Sequence, residues 1–345
     1  MAGIIYTFKL EPNWQLINEI SALDRFDASW ATIEKREDQS LKELKSIATV
    51  RSVGASTRIE GSTMSDEEVK ALIDTLSISK LEDRDEQEVA GYFEALDLIS
   101  ESFPGMEVNE GTIKNLHNTL MKYSQKDEWH KGDYKKLSNA VEATRPDGSR
   151  QVIFETTSPG LPTQEAMRSL ITWWQTEKEV HPIVRCALFC YDFVSIHPFQ
   201  DGNGRMSRLI AILLLLKNKY SWIQYVSFEH EIENRKAEYY KELMMAQKER
   251  PGEDVFSWTL FFLDCLNNIC GQLMTKLSAS GTVAKLDPKK KKVYLFIENH
   301  SGCQSGEIAD KLNIGLPTVK KILNRLVTNK LIIKHGAGAG TNYSI

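Results

Sequence analysis

The sequence predicts a mainly α-helical protein with one β-hairpin and a C-terminal domain of winged helix-turn-helix order. Three observations carry this prediction. Apolar residues recur at helical spacing from Asp38 to about Leu98 and from Thr163 to Leu277. Pro146-Asp147-Gly148 is turn chemistry, followed by the β-favouring piece Gln151-Val152-Ile153-Phe154. Residues 292–345 run helix, short helix, longer helix, apolar strand, Gly-rich turn and final strand.

In chain order, Ser65 with Glu68 three residues on is a capping box that opens a helix over EEVKALIDTL. Gly61, just before it, reads as the glycine that closes the preceding helix. The segment around Pro146 reads as a hairpin standing out from a helical body, with a plain surface loop as the alternative. The small, polar and then lysine-rich stretch 276–291 reads as a linker. The expected divisions are a helical region 1–110, a core 111–275, the linker, and the tail domain 292–345.

The 345 residues are 41% hydrophobic and 26% charged, and suffice for two or three domains with buried cores. The N-terminal MAGIIYTFKLEPNW shows no signal-peptide pattern, so a cytoplasmic protein is expected. Leu209 to Leu216, the longest apolar run, is too short to span a bilayer, so no membrane partner is expected. Five cysteines without a CxxC pair read as reduced, mostly buried thiols. The net charge of −4 hides an asymmetry: residues 282–345 hold eleven Lys/Arg against four Asp/Glu, leaving −11 on the rest. A basic tail on an acidic body points to a separate partner surface.

His197 to Arg208, HPFQDGNGRMSR, concentrates chemistry in twelve residues. Pro198 discourages helix at His197, where an apolar helix ends. Asp201-Gly202-Asn203-Gly204 favours a tight loop that exposes backbone N–H groups, and Arg205 begins a new helix. Met206, Leu209, Ile210, Leu213 and Leu214 form its buried face. A loop feeding a helix N-terminus favours an anion. Arg205 and Arg208 are spaced to reach phosphate oxygens together, Asp201 offers an oxygen ligand to Mg²⁺, and His197 can accept a proton from a hydroxyl. Phe199 is expected to point inward as the loop's anchor. The parts describe transfer of a phosphorus-containing group from a Mg-nucleotide to a nucleophile.

HPFQDGNGRMSR resembles the signature of the Fic family, His-Pro-Phe-x-(Asp/Glu)-Gly-Asn-Gly-Arg-x-x-Arg, at every specified position. The resemblance implies a protein adenylyltransferase that moves AMP from ATP to Ser, Thr or Tyr hydroxyls of a target protein, which could include itself. It implies His197 as general base and Asp201 as the Mg²⁺ ligand. It also implies a nucleotide site made by Gly202, Asn203, Gly204, Arg205, Met206, Ser207 and Arg208, with Asn203 and Gly204 in the α-phosphate's anion hole and the two arginines on the β- and γ-phosphates. Doc-type kinases carry lysine at the second glycine, so Gly204 favours AMP transfer. GDYKKL (132–137) resembles the family's Gly-x-Tyr-Arg segment, with Lys135 in place of arginine. The hairpin then corresponds to the flap that pairs with a target's backbone. ENRKAEYYKELM (233–244) resembles the family's Arg-x-x-Tyr-Tyr segment, which makes Tyr240 a nucleotide contact, or leaves Tyr239 and Tyr240 as core aromatics.

Ser56-Thr57-Arg58-Ile59-Glu60-Gly61 is similar to the family's inhibitory motif, (Ser/Thr)-x-x-x-Glu-(Gly/Asn). The resemblance implies that Glu60 pairs with Arg208 and denies that guanidinium to a γ-phosphate. The resemblance implies that the same glutamate could also orient water for removing AMP. In the tail, LPTVKKILNRLVTNK has the place of a recognition helix, with Lys320, Lys321, Arg325 and Lys330 for phosphate contact, and HGAGAGTNY that of a wing. DNA through 292–345 and a homodimer are the further partners the sequence admits. The rival to an enzyme is a DNA-binding regulator whose Fic-like body senses nucleotide.

Overall fold

The computed structural model describes residues 8–36, 38–76, 80–144, 150–283, 286–329 and 331–344. The Pro146-Asp147-Gly148 turn and Lys330 therefore lie outside the described residues. The chain divides into two compact units, Met1–Gly271 and Gln272–Ile345. No helix among the described residues is long and apolar enough to cross a membrane.

In the first unit α1 (Trp14–Arg36), α2 (Asp38–Ile59), α3 (Asp66–Thr75), α4 (Arg84–Ser102) and α5 (Glu110–Leu120) precede a hairpin of β1 (Ala140–Thr144) and β2 (Arg150–Glu155). Then come α6 (Leu161–Thr176), α7 (Pro182–Ile196), α8 (Asn203–Lys217), α9 (Phe228–Asn234), α10 (Lys236–Gln247) and α11 (Phe256–Val283), whose residues from Gln272 on belong to the second unit. The centre is the pair α7 and α8, which pack on each other and are joined by the loop 197–202. Every residue of α7 from Ile183 to Ile196 is buried, as is α8 from Arg205 to Leu216. A helix that is enclosed all round must be covered on every side. Here α6 packs on α7, while α2, α4 and α5 pack on α8. Each fully buried Leu or Ile stabilises this centre by about 1.5–3 kcal/mol.

The local signals act as their chemistry requires. Ser65 caps α3, and its hydroxyl and Glu68 make the reciprocal bonds of a capping box. Gly61 has φ of 110° at the end of α2. Its N–H reaches the Arg58 carbonyl at 3.1 Å, and the Ser62 N–H reaches the Thr57 carbonyl at 3.1 Å, the paired bonds of a Schellman motif. The hairpin forms as an antiparallel pair from Ala140↔Glu155 to Thr144↔Arg150, with a register shift at Val141/Glu142, and α10 lies beside β2.

In the second unit α12 (Pro288–Asn299), β3 (Cys303–Gln304), α13 (Ser305–Leu312), α14 (Leu316–Thr328), β4 (Ile333–His335) and β5 (Asn342–Ser344) enclose a core that includes Val293, Ile297, Ile308, Leu323 and Tyr343. The strands run antiparallel in the order β3-β5-β4.

Within 276–291, α11 continues through Val283 and α12 begins at Pro288. In the expected helical region 1–110 the described helices begin before Asp38, at Trp14. α1 buries Leu16, Leu23 and Trp30, a stripe seven residues apart and too narrow to stand out from its polar neighbours. All five cysteines are buried and unpaired.

Candidate active site

His197 closes α7. Its N–H still bonds the Phe193 carbonyl at 3.0 Å, but with Pro198 next the residue leaves the helix in the left-handed region, φ 54° and ψ 59°. Such a backbone costs a bulky residue about 1–2 kcal/mol and persists only where neighbours impose it. One neighbour is the Lys135 N–H, which bonds the Pro198 carbonyl at 2.8 Å. The imidazole Nδ1 lies 3.2 Å from the Val194 carbonyl. A carbonyl only accepts, so Nδ1 carries the proton and Nε2 keeps a lone pair. Burial, with the nearby Lys135 cation adding to it, pushes this imidazole down to about 4. It is therefore neutral at pH 7 and in the protonation state a base requires.

The loop after it is held from below. Phe199 is fully buried, as expected of an anchor. Asn203 staples the loop: its Oδ1 accepts from the Phe199 N–H and its Nδ2 donates to the Phe199 carbonyl, both at 2.8 Å. The His117 ring stacks on Phe199 at 3.8 Å between centroids and 2° between planes. His117 Nδ1 accepts from the Gly132 N–H at 3.0 Å, which leaves Nε2 to donate to the Asp201 carbonyl at 3.1 Å. Gly202, φ 78°, then turns the chain into α8, and a Cβ there would press on Met121 Sδ at 3.3 Å.

The first turn of α8 thus opens beside His197, and both of its arginines are in carboxylate hands. Arg205 reaches Glu88 of α4 at 3.3 Å and Asp201 at 3.7 Å. Asp201 also accepts from the Gly202 N–H at 2.6 Å and faces Lys126 at 3.7 Å. Burial alone would raise its carboxyl, but Arg205 and the loop N–H outweigh that and hold it below the usual range. The donor set fits Mg²⁺. One ionised, partly exposed carboxylate beside an anion-favouring helix end suits an ion that keeps waters and bridges to substrate phosphates. Among the described residues no group of three or more His, Cys, Asp or Glu is placed to build a closed metal cage.

Arg208 is buried. Its Nε donates to the Ser56 hydroxyl at 2.8 Å and its Nη2 to the Ser56 carbonyl at 2.9 Å and to Glu60 Oε1 at 2.8 Å. Glu60 is the capping residue of α2, fixed between the helix and Gly61. For its carboxyl, burial is the largest influence and raises it. Arg208, with Arg205 behind, outweighs this and keeps it ionised below the usual range. The carboxylate lies over Gly204, where a Cβ would run into Oε1. An internal anion thus sits at the start of α8, against the second arginine.

Residues 107–215, which contain the loop, α7 and α8 as far as Leu215, match the model of the Fic/DOC family. Within those residues the chain is similar to the Fic/DOC family. It is similar to the protein adenylyltransferase Fic of Drosophila willistoni, 25% identical over 250 residues, covering 71% of this chain and 45% of that protein. It is also similar to the protein adenylyltransferase of Caenorhabditis elegans, 29% identical over 195 residues, 54% of this chain and 34% of that one. The chain thus spans less than half the length of these curated relatives. Its fold resembles that of a Fic family protein from Desulfovibrio desulfuricans, with a TM-score of 0.65 at 23% identity over 99% of this chain and 98% of that one. A Fic domain containing signaling protein from Bacteroides thetaiotaomicron gives 0.58 at 22% identity over 76% of this chain and 97% of that one.

The fold gathers His197, Asp201, Gly202, Gly204, Arg205, Arg208 and, from α2 outside the matched residues, Glu60 in one place, but not the whole motif. Met206 is fully buried, and Ser207 points its hydroxyl at the Cys190 carbonyl, 3.4 Å away. Both side chains face the packed centre, so only their backbone is near the loop. The Asn203 side chain is spent on Phe199, which leaves its N–H for an anion. Tyr239 is buried against Trp258 and Phe261, a core aromatic. Tyr240 is half-buried and lies within electrostatic reach of Glu60 and Arg208. Burial, with Glu60 adding, pushes its phenol up to about 12.

Two supporting residues, Glu88 and His117, escaped the sequence reading, and a third, Lys135, was marked there only as standing in place of the arginine of a Gly-x-Tyr-Arg segment. Lys135 is buried, and its ammonium donates to Asn139 Oδ1 at 2.9 Å, Thr156 Oγ1 at 2.8 Å and the Ile196 carbonyl at 3.2 Å. Asn139 precedes β1 and Thr156 follows β2, so one cation ties both roots of the hairpin to the residue before His197. Burial pushes this amine down to about 8.

Proposed function

We propose that this protein is an adenylyltransferase that moves AMP from Mg-ATP to a hydroxyl of a protein substrate, and that Glu60 holds it in a resting state. The observation that carries the reading is the pairing of a neutral His197, its Nε2 free, with an anion-favouring helix start whose second arginine is occupied by Glu60. In the proposed step the substrate oxygen forms a bond to the α-phosphorus while the bond from that phosphorus to the bridging oxygen breaks. Pyrophosphate leaves, and the hydroxyl proton passes to His197 Nε2. Arg205 and Arg208 hold the outer phosphates, and the N–H groups of the 202–204 turn face the charge that gathers on the α-phosphoryl oxygens. Asp201 would hold Mg²⁺, which would supply charge neutralisation to the triphosphate. Tyr240 lies beside the nucleotide, and the β1–β2 hairpin offers an edge for the substrate's backbone.

With Glu60 in place, Arg208 cannot also clamp a γ-phosphate, and ATP binds out of line for transfer. Incubation with α-labelled ATP and Mg²⁺ tests the reading: label on protein that is lost in His197→Ala supports it, and equal label in that variant overturns it.

For residues 292–345 we read a winged helix-turn-helix that contacts DNA phosphates. α14 exposes Lys320, Lys321, Asn324 and Arg325 on one face, with no acid among them. Replacing the three cations with alanine should weaken DNA binding for all sequences alike and flatten its salt dependence by about one unit per lost phosphate contact. Unchanged binding and slope would place the partner elsewhere.

A further inference from the structure

The carboxylate on Arg208 is only as well placed as the helix end that carries it. Terminal helical turns fray, and their last carbonyls have no partner inside the helix. α2 ends one residue before Glu60, yet every carbonyl there is taken. Thr57 and Arg58 accept from Ser62 and Gly61, and the Ile59 carbonyl accepts from Lys236 Nζ at 2.7 Å. Arg58 secures the same turn from its other side. Its Nε and Nη2 fork onto Glu233, at 2.6 and 3.1 Å, while Nη1 reaches the Met64 carbonyl and Asp66 Oδ1, each at 3.0 Å. One guanidinium therefore bridges the chain before Glu60, the chain after it, and α9.

The geometry is specific. Residues two apart on a helix do not share a face, so Arg58 and Glu60 point different ways. Glu60 meets Arg208 at the nucleotide site while Arg58 meets the α9–α10 junction, where Glu233 and Lys236 stand three residues apart. Gly54, one turn earlier on α2, makes the room: a methyl there would meet Arg58 Nη1 at 2.6 Å and Asp66 Oδ1 at 2.7 Å. Burial would raise the Glu233 carboxyl, but His230 and Arg58 outweigh it and hold it down to about 2, so the fork stays charged at any working pH.

We propose that Arg58, Glu233 and Lys236 are positioning residues of the resting state, a latch on the outer face of α2 that fixes the register at which Glu60 occupies Arg208. The inference rests on the inhibitory reading of Glu60. Among the described residues no hydrogen bond or ion pair joins the three to His197, Asp201 or Arg208; they act through Glu60. Lys236 and Tyr240 are one helical turn apart, so the latch and the nucleotide-facing tyrosine share α10.

The test uses the full chain with Glu60→Gly, Glu233→Gln, Lys236→Met and Arg58→Lys, alone and with Glu60→Gly added to each latch variant. The readouts are incorporation of α-labelled ATP, melting temperature, and amide exchange of Gly61 and Ser62. Each latch variant should label about 3- to 10-fold faster than the parent and exchange those amides faster by a similar factor, since part-buried charged bonds of this kind shift a local equilibrium by about that much. None should add to the rate of Glu60→Gly. Parental labelling and exchange in the latch variants beside an activated Glu60→Gly would overturn the latch alone, as would equal gains with and without Glu60. A Glu60→Gly protein that labels no faster than the parent would overturn the inhibitory reading itself.

Discussion

Arg208 donates to Glu60 at 2.8 Å and, from the same buried guanidinium, to both the hydroxyl and the carbonyl of Ser56. Two residues of one helix end thus fill the fork that a triphosphate needs. Removing the carboxylate and leaving the serine should free one side of the fork without collapsing it. Glu60→Gly is expected to raise labelling by roughly 10- to 100-fold, the factor attached to a charge-assisted bond of about 1.5–3 kcal/mol. Initial rates at fixed Mg-ATP check this.

Gly204 and Glu60 should be coupled. A methyl at 204 displaces the carboxylate rather than any backbone, so Gly204→Ala should cost about 1–2 kcal/mol, mostly the lost pair with Arg208. In a Glu60→Gly background the same change should cost little. Denaturant unfolding of the four proteins of this cycle is the measurement, and purely additive effects would count against the contact.

His117→Ala removes a ring stacked on Phe199 and the donor to the Asp201 carbonyl. A stability loss of about 3–5 kcal/mol is expected from the truncation. His117→Gln, which keeps a donor, should retain more of the loop's order. The sign that the role is positional is a fall in kcat larger than any rise in KM for ATP in the His117→Gln protein.

Acid should destabilise the fold through two histidines. His117 and His197 are both pushed down to about 4 by burial, below their ordinary value. Between about pH 6.5 and 4 the unfolded chain binds these protons and the native chain does not, so stability rises with pH across that window and is lost on acidification. The acid limb of the rate profile should likewise lie below the usual histidine range. Urea unfolding from pH 4 to 8, with His117→Gln showing a shallower slope, checks the sign.

How far the sequence could be read follows from how local each signal is. The loop 197–208 was legible because its proline, glycines and arginines act within a few residues of one another. The ends of α2 and α3 were legible for the same reason, through Gly61 and the Ser65–Glu68 box. Tertiary partners were not. Glu88 meets Arg205, and His117 meets Phe199 and Asp201, across wide gaps in the chain, and no spacing rule links them. Met206 and Ser207 show the converse: motif membership assigns them to the nucleotide, while helical periodicity turns their side chains to the core. The stretch 276–291, read as a linker from its small polar residues and lysines, carries the end of α11 and the start of α12, which composition alone does not reveal.

The central claim is that the loop presents the innermost phosphorus of ATP to His197. The direct measurement is intact mass and peptide mapping of Glu60→Gly protein incubated with Mg-ATP labelled in parallel at the α- and γ-phosphates. The account predicts an added AMP and retention of α-label only, both abolished by His197→Ala. An added phosphate with retained γ-label would contradict it.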